Sequence, residues 1–111
     1  MGIFEQRFQK KEKKHRRNYE IDDDLFTKLE HMAQIFDASL TDLANACIEQ
    51  LIEDEKIIVF EKPEHELPVI HTLLIRESNL AGLENLKEKY GVSIYKLVNI
   101  AIKNALEEYD I

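Results

Sequence analysis

The sequence predicts a mainly α-helical fold with one short β-strand in each of two tandem repeats. Three observations carry that reading. The chain repeats itself at an offset of 54 residues: Leu40, Leu43, Ala44, Cys47, Ile48, Leu51 and Ile52 are answered by Ile94, Leu97, Val98, Ala101, Ile102, Ala105 and Leu106. The order of local signals, strand then helix, short turn, helix, is the same in both copies. The composition is 44% hydrophobic and 33% charged, with only 3 Gly and 2 Pro in 111 residues, which suits a helical globular chain. A unit of about 40 residues is too small to hold a core alone, so the copies must pair with each other or with those of a second chain.

Residues 1–14 read as a basic flexible arm, with Lys10, Lys11, Lys13 and Lys14 as its run of cations. Repeat one spans 15–54. Its strand, near 15–21, places Tyr19 and Ile21 on one side and Arg16, Asn18 and Glu20 on the other. Asp22, Asp23 and Asp24 mark a helix start, where acids cap free N–H groups and meet the favourable end of the dipole. Leu25, Leu29, Met32 and Phe36 follow at helical spacing, and Asp37-Ala38 interrupts it. Ser39, with Asp42 three residues on, opens a second helix through an approximate capping box.

Residues 55–68 form a linker closed by Pro63 and Pro68, and its apolar run Ile57, Ile58, Val59 and Phe60 reads as a short strand, buried or facing a partner. Repeat two spans 69–111. Its strand covers Val69 to Ile75, Ser78 or Asn79 caps the first helix, Gly91 ends it, and Ser93 opens the last helix. Here the strand register puts Ile70, Thr72 and Leu74 outward and His71, Leu73 and Ile75 inward. Both faces are mostly apolar, so this strand is expected to be covered on both sides. Asn45 and Asn99 recur beside the apolar stripes, a placement that fixes helix register or bonds across a pseudo-twofold axis.

The charge is divided unevenly. Residues 1–20 carry seven Lys/Arg against three acids, and the rest carries eight against nineteen, for a net −7. A basic arm on an acidic body points to an anionic partner, nucleic acid before membrane. The N-terminus lacks a signal-peptide core and a myristoylation Ser/Thr, and no apolar run reaches membrane-spanning length, so a cytoplasmic protein without membrane association is expected. Cys47, the single cysteine, stands on an apolar face and reads as an inert buried thiol. His15, His31, His65 and His71 are scattered; Glu64-His65-Glu66 lacks regular ligand spacing, and no acid pair or glycine-rich loop suggests catalysis. No enzyme, metal or cofactor is expected.

The strand with alternating inward apolars, the acid-rich helix start, Leu25-x-x-x-Leu29-x-x-Met32, the tight turn and the Ser heading each second helix together resemble the ribbon-helix-helix (Arc/CopG-type) DNA-binding family. The resemblance covers 16–54 and again 70–109. It departs from the family pattern where Asp37 replaces the turn glycine.

That resemblance implies a tandem ribbon-helix-helix with a pseudo-twofold axis, a two-stranded antiparallel ribbon and four helices. The ribbon would lie in the major groove of double-stranded DNA. Arg16, Asn18 and Glu20 would contact bases, with Thr72 as the lone reader of the second strand. Lys10, Lys11, Lys13, Lys14 and Arg17, with Ser39, Thr41 and Ser93 at the second-helix starts, would contact phosphates. A monomeric pseudo-dimer would read an asymmetric site and a homodimer a palindromic one. The implied role is a small transcriptional repressor or a plasmid or mobile-element accessory factor. The alternative is a protein-interaction module, antitoxin-like or an adaptor, binding its partner through Ile57, Ile58, Val59, Phe60, Ile70 and Leu74.

Overall fold

The structure, a computed structural model, describes residues 12–61 and 69–109. Each repeat is a strand followed by two helices: β1 (Lys14–Glu20), α1 (Asp23–Ile35) and α2 (Leu40–Asp54), then β2 (Ile70–Arg76), α3 (Glu77–Tyr90) and α4 (Ile94–Glu108). No helix among the described residues is long and apolar enough to cross a membrane.

The two strands pair with each other inside one chain, antiparallel, from Lys14 opposite Arg76 to Glu20 opposite Ile70. The register carries the pseudo-symmetry. The 54-residue offset maps Asn18 onto Thr72, and these two residues face each other at the middle of the ribbon. A pseudo-twofold axis therefore passes between them. Beneath the ribbon, α2 and α4 present the two matched apolar stripes to each other. Leu43, Ala44, Cys47, Ile48 and Leu51 from one, and Leu97, Val98, Ala101, Ile102, Ala105 and Leu106 from the other, form the centre of the core. Leu25, Phe26, Leu29 and Met32 of α1, and Leu83 and Leu86 of α3, close it from the sides. Neither repeat encloses this core alone, which is why each strand pairs with the other repeat's strand.

Turn chemistry follows the repeat as well. Helix α1 ends with Ala38 N–H donating to the Ala33 carbonyl at 3.0 Å, which places Asp37 at φ 51°. Gly91 ends α3 at the matching position with φ 67°. A left-handed residue costs an L-side chain about 1 kcal/mol, less for Asp than for most. Asp37→Gly is accordingly expected to raise stability by about 0.5 kcal/mol, and Gly91→Asp to lower it by about 1 kcal/mol, by urea denaturation. A Cβ at Gly91 would meet nothing within 4 Å, so any loss there belongs to the backbone. A loss of stability from Asp37→Gly, or a gain from Gly91→Asp, would sink the argument.

Three expectations need correction. Residues 12–14 are part of the folded unit: β1 begins at Lys14, Glu77 N–H donates to the Lys13 carbonyl at 2.9 Å, and Ser78 N–H donates to a Glu12 carboxylate oxygen at 2.9 Å. Helix α3 begins at Glu77, with Arg76 as its N-cap residue, ahead of Ser78 and Asn79; the acid in front of the strand does the capping that those two were expected to do. Ile57–Phe60 forms no strand. With β1 and β2 paired to each other, the segment lies against α4, whose surface offers no ladder: Asn104 Nδ2 donates to the Lys56 carbonyl at 2.9 Å, and Lys103 Nζ stands 5.4 Å from the Phe60 ring centre. Ile57 and Phe60 turn inward, while Ile58 and Val59 are exposed.

Candidate nucleic-acid interface

The ribbon's outer face is built by strand alternation. Tyr19, Leu73 and Ile75 point into the core, along with Ile21 just beyond β1. Burial pushes the Tyr19 phenol above its usual range. The opposite parity places Arg16, Asn18 and Glu20 of β1 beside Leu74, Thr72 and Ile70 of β2. Arg16, Asn18, Thr72, Ile70 and Leu74 are all exposed and Glu20 is half-buried. Thr72 Oγ1 donates to Asn18 Oδ1 at 2.7 Å, so the two central residues share one hydrogen bond on the pseudo-axis. The face expected to be covered by protein is open among the described residues: Ile70 is 63% exposed and Leu74 39%. The apolar linker run Ile57–Phe60 lies on α4 and leaves this face open.

Two asparagines hold the ribbon on the helices. Asn45, on α2 of repeat one, donates to the Leu74 carbonyl and accepts from Arg76 N–H, each at 2.8 Å, clamping the strand of repeat two. Asn99, on α4 of repeat two, donates to the Glu20 carbonyl and accepts from Asp22 N–H, each at 2.9 Å, clamping the strand of repeat one. Each amide also donates one turn back along its own helix, to Thr41 and Tyr95. The strand and helix partners of the two clamps are related by the 54-residue offset, and Asn45 alone also accepts from Asn79 Nδ2, at 3.0 Å, where the offset places Leu25. They place the start of α2 beside one end of the ribbon and the start of α4 beside the other.

The two ends differ in charge. At the end where β1 begins, Lys13, Lys14, Arg16 and Arg17 are exposed close to the start of α2. Ser39 caps that helix by accepting from Asp42 N–H at 3.0 Å, and Thr41 lies half-buried in its first turn. At the other end stand Glu20 and Asp22 to Asp24, with Ser93 heading α4. The Ser93 hydroxyl is buried with no hydrogen-bond partner among the described residues. Lys10 and Lys11 lie outside the described residues, as does Glu64-His65-Glu66.

Arg76 is the residue that sequence reasoning missed. Its guanidinium is buried, 3.5 Å from an Asp42 carboxylate oxygen and 3.8 Å from one of Glu49. A carboxylate in the first turn of α2 would repel an anion docking there, and the cation behind Asp42 offsets that repulsion. No local pattern announces it, since the guanidinium is buried only because α2 lies behind the strand. Glu49 is buried beside it, while Glu53, Glu107 and Glu108, later in the second helices, are exposed. A concavity of about 510 Å³ lies between the C-terminal halves of α2 and α4, with Asp54, Glu107 and Glu108 at its rim and Cys47 in its floor. Burial raises the Cys47 thiol far above its ordinary value, leaving it un-ionised and unreactive.

No protein-family model, no curated protein and no solved structure matches this sequence.

Proposed function

We propose that this chain binds double-stranded DNA as a tandem ribbon-helix-helix protein, in the manner of a small repressor or a mobile-element accessory factor. The observation that carries the reading is the open ribbon face, with Arg16, Asn18 and Thr72 exposed on it and no described residue above it. A two-stranded ribbon is one of the few elements that fit the roughly 12 Å major groove. Arg16 is suited to guanine, Asn18 to adenine and Glu20 to the cytosine amino group. Phosphate contacts fall to Lys13, Lys14 and Arg17, to the backbone N–H groups behind Ser39 and Thr41, to Ser93, and to Lys10 and Lys11 of the arm. The intramolecular ribbon makes the reader asymmetric, so its site would not be a palindrome.

The test is fluorescence anisotropy against a duplex selected from a random pool. Arg16→Ala combined with Asn18→Ala is expected to lower affinity for the selected site by about 30-fold or more, for two contacts at about 1–3 kcal/mol of discrimination each. Affinity for unrelated duplex should fall much less. Equal losses on both would remove base reading from the strand.

A second reading has its own support. Ile58 and Val59 are 55% and 57% exposed, and Val59 and Phe60 line a concavity of about 450 Å³ with Tyr95 and Asn99 of α4 and with Glu20 and Asp22 at the end of β1, which favours a protein partner there. An antitoxin-like or adaptor role would use that surface and leave the ribbon to DNA.

A further inference from the structure

The two edges of the ribbon's outer face differ in chemistry. β1 contributes Arg16, Asn18 and Glu20, whose side chains carry hydrogen-bond donors and acceptors; β2 contributes Ile70, Thr72 and Leu74, which present mainly methyl groups. Ile70 and Leu74 are exposed at 63% and 39%, although the same strand buries Leu73 and Ile75. On the DNA-binding reading, on which this inference rests, those side chains meet base edges. The major-groove edge of a base pair carries one apolar group, the thymine C5-methyl. Any other edge placed under Ile70 or Leu74 would lose water from a donor or acceptor and gain no partner.

We propose that β2 is a thymine-methyl reader, with Ile70 and Leu74 as the contacting side chains, so that the site joins a hydrogen-bond code under β1 to thymines under β2. The two residues stand four apart in an extended strand, about 13 Å. That spans roughly four base-pair steps. A protein partner fits the same face less well. An apolar surface docked over β2 would also cover Arg16 and Asn18, and Lys13, Lys14, Arg16 and Arg17 at the Leu74 end of the ribbon complement a polyanion, whereas Ile70 stands at the other end, opposite Glu20.

The experiment starts from the duplex that the full chain selects from a random pool. Each thymidine is then replaced in turn by deoxyuridine, which removes the methyl and nothing else. Binding is expected to weaken about fourfold at one or two positions, the weight of one buried methyl group. Ile70→Ala and Leu74→Ala, both at exposed sites, should abolish the thymine–uracil difference while circular dichroism stays unchanged. A selected duplex whose thymidines can all be replaced without loss overturns the methyl reading and leaves the DNA reading standing. A chain that selects no duplex overturns both, and returns Ile70 and Leu74 to a protein interface.

Discussion

Asn45→Ala is expected to cost about 3 kcal/mol of folding stability. Asn45 is fully buried, and its amide serves Leu74 C=O, Arg76 N–H and Asn79 Nδ2 at once. Truncation leaves the two backbone groups without partners in the core, at about 1–3 kcal/mol each. Asn79 keeps its bond to the Asn45 carbonyl at 3.2 Å, so it adds little. The loss should appear as a melting temperature lower by about 10–15 °C. Asn99→Ala should cost less, about 2 kcal/mol, because Asn99 retains 7% exposure and water can reach what it abandons. Because each amide belongs to one repeat and holds the strand of the other, the damage falls on the pairing of repeats. A melting shift under 2 °C for Asn45→Ala would mean that the apolar stripes alone hold the repeats together.

The same two asparagines show what the sequence carried. They were visible because they recur 54 residues apart beside apolar stripes, and a polar residue kept at a matched site in a core has to bond across something. Their partners could not be named, since Leu74 and Arg76 are distant in sequence from Asn45 and only the ribbon register joins them. The helices, the Ser39 cap, the inward Tyr19 and the turn at Asp37 were equally legible, each being local chemistry repeated. What failed was tertiary. Ile57–Phe60 reads as a strand by composition, but a strand needs a partner strand, and this segment packs on helix α4 instead. Ile70 and Leu74 read as covered because an apolar residue looks the same whether it packs inside or waits for a ligand. Glu12 reads as one acid in a basic run, and its role at the start of α3 follows only from β1 and β2 being antiparallel. Arg76 was hidden for a related reason: the burial of its guanidinium depends on α2 lying behind the strand.

Binding to mixed-sequence duplex is expected to weaken about 500-fold as salt rises fourfold. Lys10, Lys11, Lys13, Lys14 and Arg17 would neutralise five phosphates, and each contributes about 0.9 to the logarithmic slope, about 4.5 in all. The arm's share is separable only if the cut respects the fold. Removing residues 1–14 would also remove the Glu12 contact to Ser78, the Lys13 contact to Glu77 and the first residue of β1, so a weakened variant would report a damaged ribbon. A chain beginning at Glu12 keeps all three and loses Lys10 and Lys11. Its slope should fall by about 2, with its melting temperature unchanged. The acidic body works against binding, residues 21–111 carrying nineteen acids against eight Lys/Arg. Its weight depends on distance: Glu53 stands about 12 Å of helix beyond the Asn45 clamp, more than the roughly 8–10 Å over which charges act at ordinary ionic strength. Below that ionic strength the repulsion reaches further, and the affinity should level off while the lysine contacts persist. A curve that flattens only at low salt is therefore the signature of a basic edge on an acidic body. A slope shallower than about 1 throughout would mean that the lysines of 10–14 and Arg17 do not meet phosphates, and the DNA reading would lose its electrostatic half.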